Sequence, residues 1–158
     1  HSTGYKPSFG GNAENGLRRR IHISNGLISK AETIMKNADV ATIAKIDDKG
    51  YPRASTISNI KTHELKTAWF ATGLNSSKVK FFSQNNKASV CYRDGGNNIT
   101  LIGTIEILTD PELKKQLWLD WFINHFPGGG SDPNYCILKF TTNEAVFWID
   151  NKYEEIVL

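Results

Sequence analysis

The stretch that decides the fold is "DVATIAKIDDKGYPRASTISNI", residues 39–60. Residues 39–46 alternate in polarity and are rich in β-branched side chains, which indicates a strand. "DDKG" at 47–50 has the composition of a tight turn, and 51–60 returns as a second strand. We therefore predict an antiparallel hairpin at the start of the folded domain.

The same strand and turn signals continue along the chain. They predict further strands at 65–73, 88–94 and 99–110, and one or two closing strands over 134–150. Gly103 lies inside the long fifth strand, where a glycine marks a bulge or a close backbone approach. About six strands joined by short turns, one of them with an internal glycine, are typical of closure into an antiparallel barrel.

Helical periodicity predicts three helices around these strands. They cover 24–38, 76–86 and 111–126. Asp110 and Pro111 form a typical helix start, because proline suits the first helical position. In this last helix we expect four apolar side chains to face a core: Leu113, Leu117, Trp121 and Ile123. The predicted class is α+β.

Composition sets limits on the class of protein. The 158 residues suffice for one domain, which we predict at 22–158, after a flexible Gly-, Ser- and Asn-rich segment at 1–21 that is a native arm or an expression remnant. The net charge of +3 is too small to indicate nucleic acid, and no apolar run approaches the roughly 18 residues of a membrane span. Cys91 and Cys136 are too far apart in sequence for a redox pair or zinc site, so we expect a cytoplasmic protein.

The usual catalytic motifs are absent from the sequence. It contains no GxGxxG, GxxxxGK[ST], HExxH or GxSxG pattern, and its four histidines are not spaced as metal ligands. His125 ends the predicted aromatic helix, where we expect it to interact with the last carbonyls more readily than to take part in catalysis.

One junction allows two interpretations. "TGLNSSKVKFF", residues 72–82, joins a strand to a helix, and its serines either cap the helix or help to hold an anion beside Lys78. Arg53 begins the neighbouring strand and falls near the same end of the sheet. Because arginine and lysine together suit a phosphate group, the pair favours an anion site without excluding the cap.

Several segments, taken in order, resemble a known family. They are "ATIAKIDDKGYPRASTIS", "WFATGLNSSKVKFFSQNNKASVCY", "ITLIGTIEIL", "FPGGGSDPNYCILKF" and "AVFW". Their order and spacing resemble the pyridoxamine 5′-phosphate oxidase-like FMN-binding split barrels, specifically the general stress protein group. The resemblance implies a six-stranded antiparallel split β-barrel, FMN as cofactor, and a homodimer with FMN at the subunit interface.

The resemblance also implies site residues on the first strands and the short helix. Arg53, Ser77 and Lys78 would meet the FMN phosphate. The residues implied to lie along the flavin or its ribityl chain are Ser55, Thr56, Ser58, Ala71 and Thr72.

Two further residues are implied near the subunit interface. Asn98 corresponds to a flavin contact that comes from the other subunit. Trp148 corresponds to a tryptophan at the interface flavin site, although a core aromatic is an equal alternative.

The chain departs from the parent oxidases after Trp148. Those enzymes continue with an Arg-x-His substrate clamp, whereas this chain reads "IDNKYEEIVL". We therefore expect an FMN-dependent oxidoreductase acting on an unidentified small molecule, with NAD(P)H as a candidate donor, and not a pyridoxamine phosphate oxidase. The alternatives are a non-catalytic flavin-binding or sensing stress protein, and a split barrel that binds haem, a deazaflavin or nothing.

Overall fold

A computed structural model of the chain describes residues 25–158. The expected flexible segment at 1–21 and the expected domain start at residue 22 lie outside the described residues. Helix α1 is Asn25–Asn37, α2 is Ser77–Gln84 and α3 is Pro111–Gln116. The strands are β1 (Val40–Ile46), β2 (Pro52–His63), β3 (Thr67–Gly73), β4 (Lys87–Asp94), β5 (Asn97–Leu108), β6 (Tyr135–Ile149) and β7 (Lys152–Val157).

All strand pairs are antiparallel, and six of the strands close on themselves. The sheet order is β3-β2-β1-β4-β5-β6-β7, and β3 also pairs with β6. This extra pairing closes β1–β6 into a barrel, and β7 extends the sheet beyond β6. The predicted α+β fold with a six-stranded antiparallel split barrel is confirmed.

The hairpin that opened the sequence argument forms as predicted. In its register Lys45 lies opposite Arg53. The Asp47 carboxylate accepts hydrogen bonds from the backbone N–H groups of Lys49 and Tyr51, each at 2.9 Å. Gly50 completes the turn with φ of 83°, a left-handed conformation that glycine adopts at little cost.

Gly103 is both a bulge and a close approach. The β5–β6 register shifts between Ile102 and Gly103. A Cβ at Gly103 would lie 1.9 Å from the carbonyl oxygen of Thr141. Only a residue without a side chain lets β5 and β6 approach this closely where the barrel wall bends.

The barrel interior is filled with large apolar side chains, and one polar network joins it to α1. Tyr92 is fully buried and donates its hydroxyl to Asn59 Oδ1 at 3.0 Å. Asn59 Nδ2 in turn donates to the carbonyls of Met35 and Ala38, each at 2.9 Å. The network satisfies carbonyls at the C-terminal end of α1, which otherwise lack helical partners.

The helix expected at 111–126 is wrong beyond its first turns. Asp110 caps α3 by accepting from the Leu113 N–H at 2.9 Å, as predicted, but α3 ends at Gln116. The backbone is extended at Leu119 (φ −116°, ψ 137°), and a short 3-10 helix follows at Asp120–Asn124.

Packing against Tyr135 explains this break. The rings of Trp118, Phe122 and Phe126 lie 5.3, 6.0 and 5.2 Å from the Tyr135 ring. These three side chains turn towards β6 and form a second core cluster outside the barrel. Trp121 and Ile123, expected in the core, are instead 48% and 47% exposed.

Candidate functional site

A cavity of about 330 Å³ lies between the outer face of the barrel wall and residues 118–126, which we call the aromatic segment. Strands β2 and β3, the start of α2 and Asn134 complete its wall. On β2 the outward Thr56 and Ser58 flank Ile57, which is buried. The side chains of β2 that point away from the barrel therefore line the cavity, while the buried Ile57 points into the barrel.

The structure brings five of the sequence-predicted site residues to this cavity. They come from two strands and one helix: Thr56, Ser58, Ala71, Thr72 and Lys78. The β2–β3 pairing and the short connection from β3 to α2 create this convergence.

The start of α2 combines a cap with the cavity wall. Ser76 is the N-cap and accepts from the Val79 N–H at 3.3 Å. Thr72 Oγ1 donates to Ser76 Oγ at 3.3 Å, which links the cavity wall to the cap. The helix-cap interpretation is thus confirmed for Ser76, while Ser77 is exposed and Lys78 is half-buried on the cavity wall.

Arg53 and Ser55 lie on the other phase of β2 and do not line the cavity. Arg53 is 61% exposed, and its Nη1 lies 3.6 Å from Asp47 Oδ2. Hydrogen bonds from the backbone N–H of Tyr51 first and of Lys49 next, together with the charge of Arg53, hold the pKa of Asp47 below its usual value. Ser55 Oγ is buried and, in the part of the chain that the structure describes, has no hydrogen-bond partner.

Sequence reasoning missed Lys45. It lies opposite Arg53 in the hairpin, and only 7% of it is exposed. Burial, followed by the nearby charges of Lys78 and Arg53, lowers the pKa of Lys45, whereas Asp47 raises it. Lys45, Arg53 and Lys78 form a group at one barrel end that we call the cation cluster.

A signal for Lys45 was present in the sequence. In β1 the buried residues are Ala41, Ile43 and Lys45, so the lysine occupies the inward phase of the alternation. A lysine at an inward strand position is unusual unless it has a partner.

Sequence reasoning also understated His125. It follows the 3-10 helix, and its N–H donates to the Phe122 carbonyl at 2.9 Å, so it does end a helical turn. The residue also lines the cavity, and its ring packs against Trp121 at 6.0 Å and Phe126 at 6.5 Å. Among the cavity-lining residues of the described range 25–158, only Lys78 and His125 carry a titratable side chain.

Asn98 and Trp148 lie elsewhere in the chain. They face each other in the β5–β6 register. Along β6, Trp148 is twelve residues beyond Cys136, the residue opposite Thr72. At about 3.3 Å per residue this is on the order of 40 Å of strand, so a single chain does not bring these two residues to the cavity.

Residues 25–158 hold no group of three or more His, Cys, Asp or Glu side chains arranged to bind a metal ion. Within the same range no helix combines the length and hydrophobicity needed to cross a bilayer.

A closed six-stranded antiparallel barrel with a cavity on its outer wall defines a split-barrel protein. Residues 28–158 match the family described as "Pyridoxamine 5'-phosphate oxidase like". The chain belongs to this family, as the resemblance implied. A comparison with curated protein sequences finds no significant match.

Solved structures support the same assignment. A protein from Clostridium acetobutylicum, described as related to general stress protein 26 of B. subtilis and as of the pyridoxinephosphate oxidase family, is 25% identical with a TM-score of 0.78, over 86% of this chain and 97% of that one. General Stress Protein 26 from Bacillus anthracis is 20% identical with a TM-score of 0.73, over 84% and 98%.

A third neighbour has a different ligand in its description. It is a heme binding protein from Mycobacterium smegmatis, 12% identical with a TM-score of 0.66, over 85% of this chain and 58% of that one. At this identity the likeness concerns the fold alone.

Proposed function

We propose that the protein binds FMN in the cavity and is an FMN-dependent oxidoreductase acting on a small molecule. The observation that carries the proposal is the convergence of Thr56, Ser58, Ala71, Thr72 and Lys78 on one cavity wall. These residues come from three separate elements. The family resemblance implied that the first four contact the flavin or its ribityl chain and that Lys78 contacts the FMN phosphate. The clamp of the pyridoxamine phosphate oxidases is missing from the sequence after Trp148, so we do not propose that substrate.

The charges of the cation cluster, of which Lys78 also lines the cavity, fit a phosphate monoester. Arg53 forms an ion pair with Asp47. No carboxylate in residues 25–158 forms an ion pair with Lys45 or Lys78. The buried hydroxyl of Ser55 lacks a partner within the same residues, and it lies on the strand face that carries Arg53. A doubly charged phosphate would neutralise the charges of Lys45 and Lys78, and its oxygens would accept a hydrogen bond from the Ser55 hydroxyl.

The size of the cavity argues for a second subunit. The cavity of about 330 Å³ lies at the lower end of the about 300–1,000 Å³ that ligand pockets commonly enclose, so a second subunit would help to bury a cofactor as large as FMN. We propose a homodimer in which the partner covers the rest and contributes its copies of Asn98 and Trp148, as the family resemblance implies.

A complementation experiment tests this arrangement. Lys78→Met and the double variant Asn98→Ala/Trp148→Ala should each bind FMN weakly, for different reasons. Mixed dimers of the two variants would then contain one intact site and recover about half of the wild-type binding. Equal weakness in the mixture and in the separate variants would contradict a shared site.

Bound FMN would supply two-electron redox chemistry, which the protein orients and shields. The cavity-lining aromatic rings of Trp121, Phe122 and Phe126 offer apolar surface for a planar ring system. His125 is the wall residue whose imidazole nitrogens can donate to or accept from a bound ligand. Cys91 and Cys136 are unpaired, which is consistent with our expectation of a cytoplasmic protein.

Two other functions fit the same fold. A flavin-binding stress protein without turnover would show the flavin absorption band but no reoxidation cycle after NAD(P)H is added. A haem-binding barrel is suggested by the mycobacterial neighbour, and His125 is the cavity-lining side chain able to ligate haem iron.

Absorption spectroscopy on purified wild type and on His125→Ala separates these functions. FMN binding predicts a flavin band that persists in the variant. A Soret band that is lost in the variant would overturn FMN in favour of haem.

A further inference from the structure

Lys45 is a buried cation without a compensating acid. It is 7% exposed, and its cross-strand partner is Arg53, another cation. On the other side of β1, the residues opposite Ile43 and Ala44 are the uncharged Val90 and Ser89 of β4. Helix α2 contributes Lys78, whose charge acts on Lys45 more strongly than that of Arg53.

The carboxylate whose charge acts on Lys45 is Asp47, and it already has other partners. Asp47 accepts two backbone N–H groups at 2.9 Å and lies 3.6 Å from Arg53 Nη1. No salt bridge between Lys45 and Asp47 forms in the described chain, so Asp47 reduces but does not cancel the charge of the cluster. Within residues 25–158, three cations thus lie near one acid at the barrel end.

This arrangement is unfavourable without a ligand and favourable with an anion. A buried ammonium loses hydration and is repelled by like charges, so its charged form is destabilised. A phosphate held between Lys45, Arg53 and Lys78 would reverse both effects, and Ser55 Oγ, which is buried without a partner in residues 25–158, lies on the same face two residues from Arg53.

We propose that Lys45 is a third phosphate-binding cation of this site and takes up a proton when the phosphate binds. The proposal rests on the proposed FMN function for its ligand, but it requires only a phosphate group. It assigns to Lys45 a role in selecting phosphorylated ligands over uncharged ones.

The expected pH dependence follows from the lowered pKa of Lys45. Without ligand, the unfolded chain binds more protons here than the folded chain, so stability rises as pH increases through the folded pKa. Bound phosphate raises the pKa again. FMN binding should therefore take up protons in the pH range between the lowered pKa of ligand-free Lys45 and the ordinary lysine pKa.

The test compares Lys45→Met, Lys45→Arg and a matched control, Lys87→Met, at an exposed position at the start of β4. The ligands are FMN, riboflavin and inorganic phosphate, measured by calorimetry in buffers of different ionisation enthalpy to count protons. Thermal unfolding of each ligand-free variant is measured alongside.

The proposal predicts that Lys45→Met weakens FMN binding at least tenfold, leaves riboflavin binding unchanged and abolishes proton uptake. Lys45→Arg should retain most of the FMN affinity, because it keeps the charge. Ligand-free Lys45→Met should unfold at the same or a higher temperature than wild type. A purely structural lysine would instead lower that temperature and leave the ratio of FMN to riboflavin affinity unchanged.

The inorganic phosphate measurement separates this proposal from the FMN function. If wild type fails to bind FMN but binds phosphate with a proton uptake that Lys45→Met loses, the FMN function fails and the role of Lys45 stands. If Lys45→Met matches Lys87→Met with every phosphorylated ligand, or if wild type binds neither FMN nor phosphate, the role of Lys45 is refuted.

Discussion

Replacing Gly103 with alanine should destabilise the barrel by a large and specific amount. The new Cβ would lie 1.9 Å from the Thr141 carbonyl oxygen, 2.9 Å from its carbonyl carbon and 3.0 Å from Phe140 Cζ. A flexible side chain can rotate away from such a clash, but a backbone carbonyl held in the β5–β6 pairing cannot. Strands β5 and β6 must therefore separate at the bulge.

The magnitude follows from the costs of overpacking. An extra methyl group in a packed site lowers the free energy of unfolding by about 1–3 kcal/mol. Because the clashing partner at Gly103 is a backbone carbonyl that cannot move aside, we expect Gly103→Ala to cost about 3 kcal/mol. For a domain of this size, each kcal/mol lowers the melting temperature by roughly 2–4 °C. We therefore expect a decrease of about 6–12 °C.

Circular dichroism during heating, with urea unfolding at fixed temperature, measures this effect. Gly96→Ala is the matched control, because a Cβ there meets no atom within 4 Å and needs no positive φ. The control should stay within about 2 °C of wild type. If Gly103→Ala also stayed within about 2 °C, the close approach of β5 to β6 would be wrong.

Three further outcomes are expected. Tyr92→Phe removes the hydroxyl that Asn59 Oδ1 accepts from, and should cost about 1–2 kcal/mol in urea unfolding; no loss would mean that water replaces the bond. Thr56→Tyr fills the cavity from an exposed strand position, so FMN binding by fluorescence titration should be lost while the melting temperature stays near wild type; retained binding would place the flavin elsewhere. Backbone N–H groups of the 128–134 loop lower the pKa of Asp132, so its stabilisation is present above the ordinary carboxyl pKa and is lost as pH falls through the folded value; the stability advantage of wild type over Asp132→Asn should therefore vanish in acid, and a constant advantage would refute this.

Turns and backbone constraints were the most predictable part of the fold. Gly50, Gly103 and the Asp110–Pro111 helix start act through local sterics and hydrogen bonds, so the residue types alone indicate the conformation. The order of strands and short turns then restricts the sheet to antiparallel pairing, and the barrel follows.

Features that depend on distant packing were less predictable. Helical periodicity continues past Gln116, but the contacts of the aromatic segment with Tyr135 on β6 break the helix and expose Trp121. The last strand, β7, was not predicted, although Asp150 and Asn151 form its turn with φ of 52° and 62°, as residues of this type often do in two-residue hairpins.

The candidate site also combines features that the local sequence predicts with features that depend on distant contacts. Strand alternation separates Arg53 and Ser55 from Thr56 and Ser58 on β2, so these four residues cannot all face one flavin surface. Lys45 was missed because its neighbours in "VATIAKI" read as an ordinary strand, and its meaning appears only when Arg53 lies opposite it.

The most direct test of the central claim is to identify and count what the purified protein binds. Denaturing release followed by mass spectrometry identifies a bound small molecule, and titration of the ligand-free protein with FMN and riboflavin measures the contribution of the phosphate. We predict release of intact FMN, and much tighter binding of FMN than of riboflavin in wild type, with the difference reduced in Lys78→Met. Release of haem, or equal affinity for FMN and riboflavin, would contradict a phosphate-anchored flavin in this cavity.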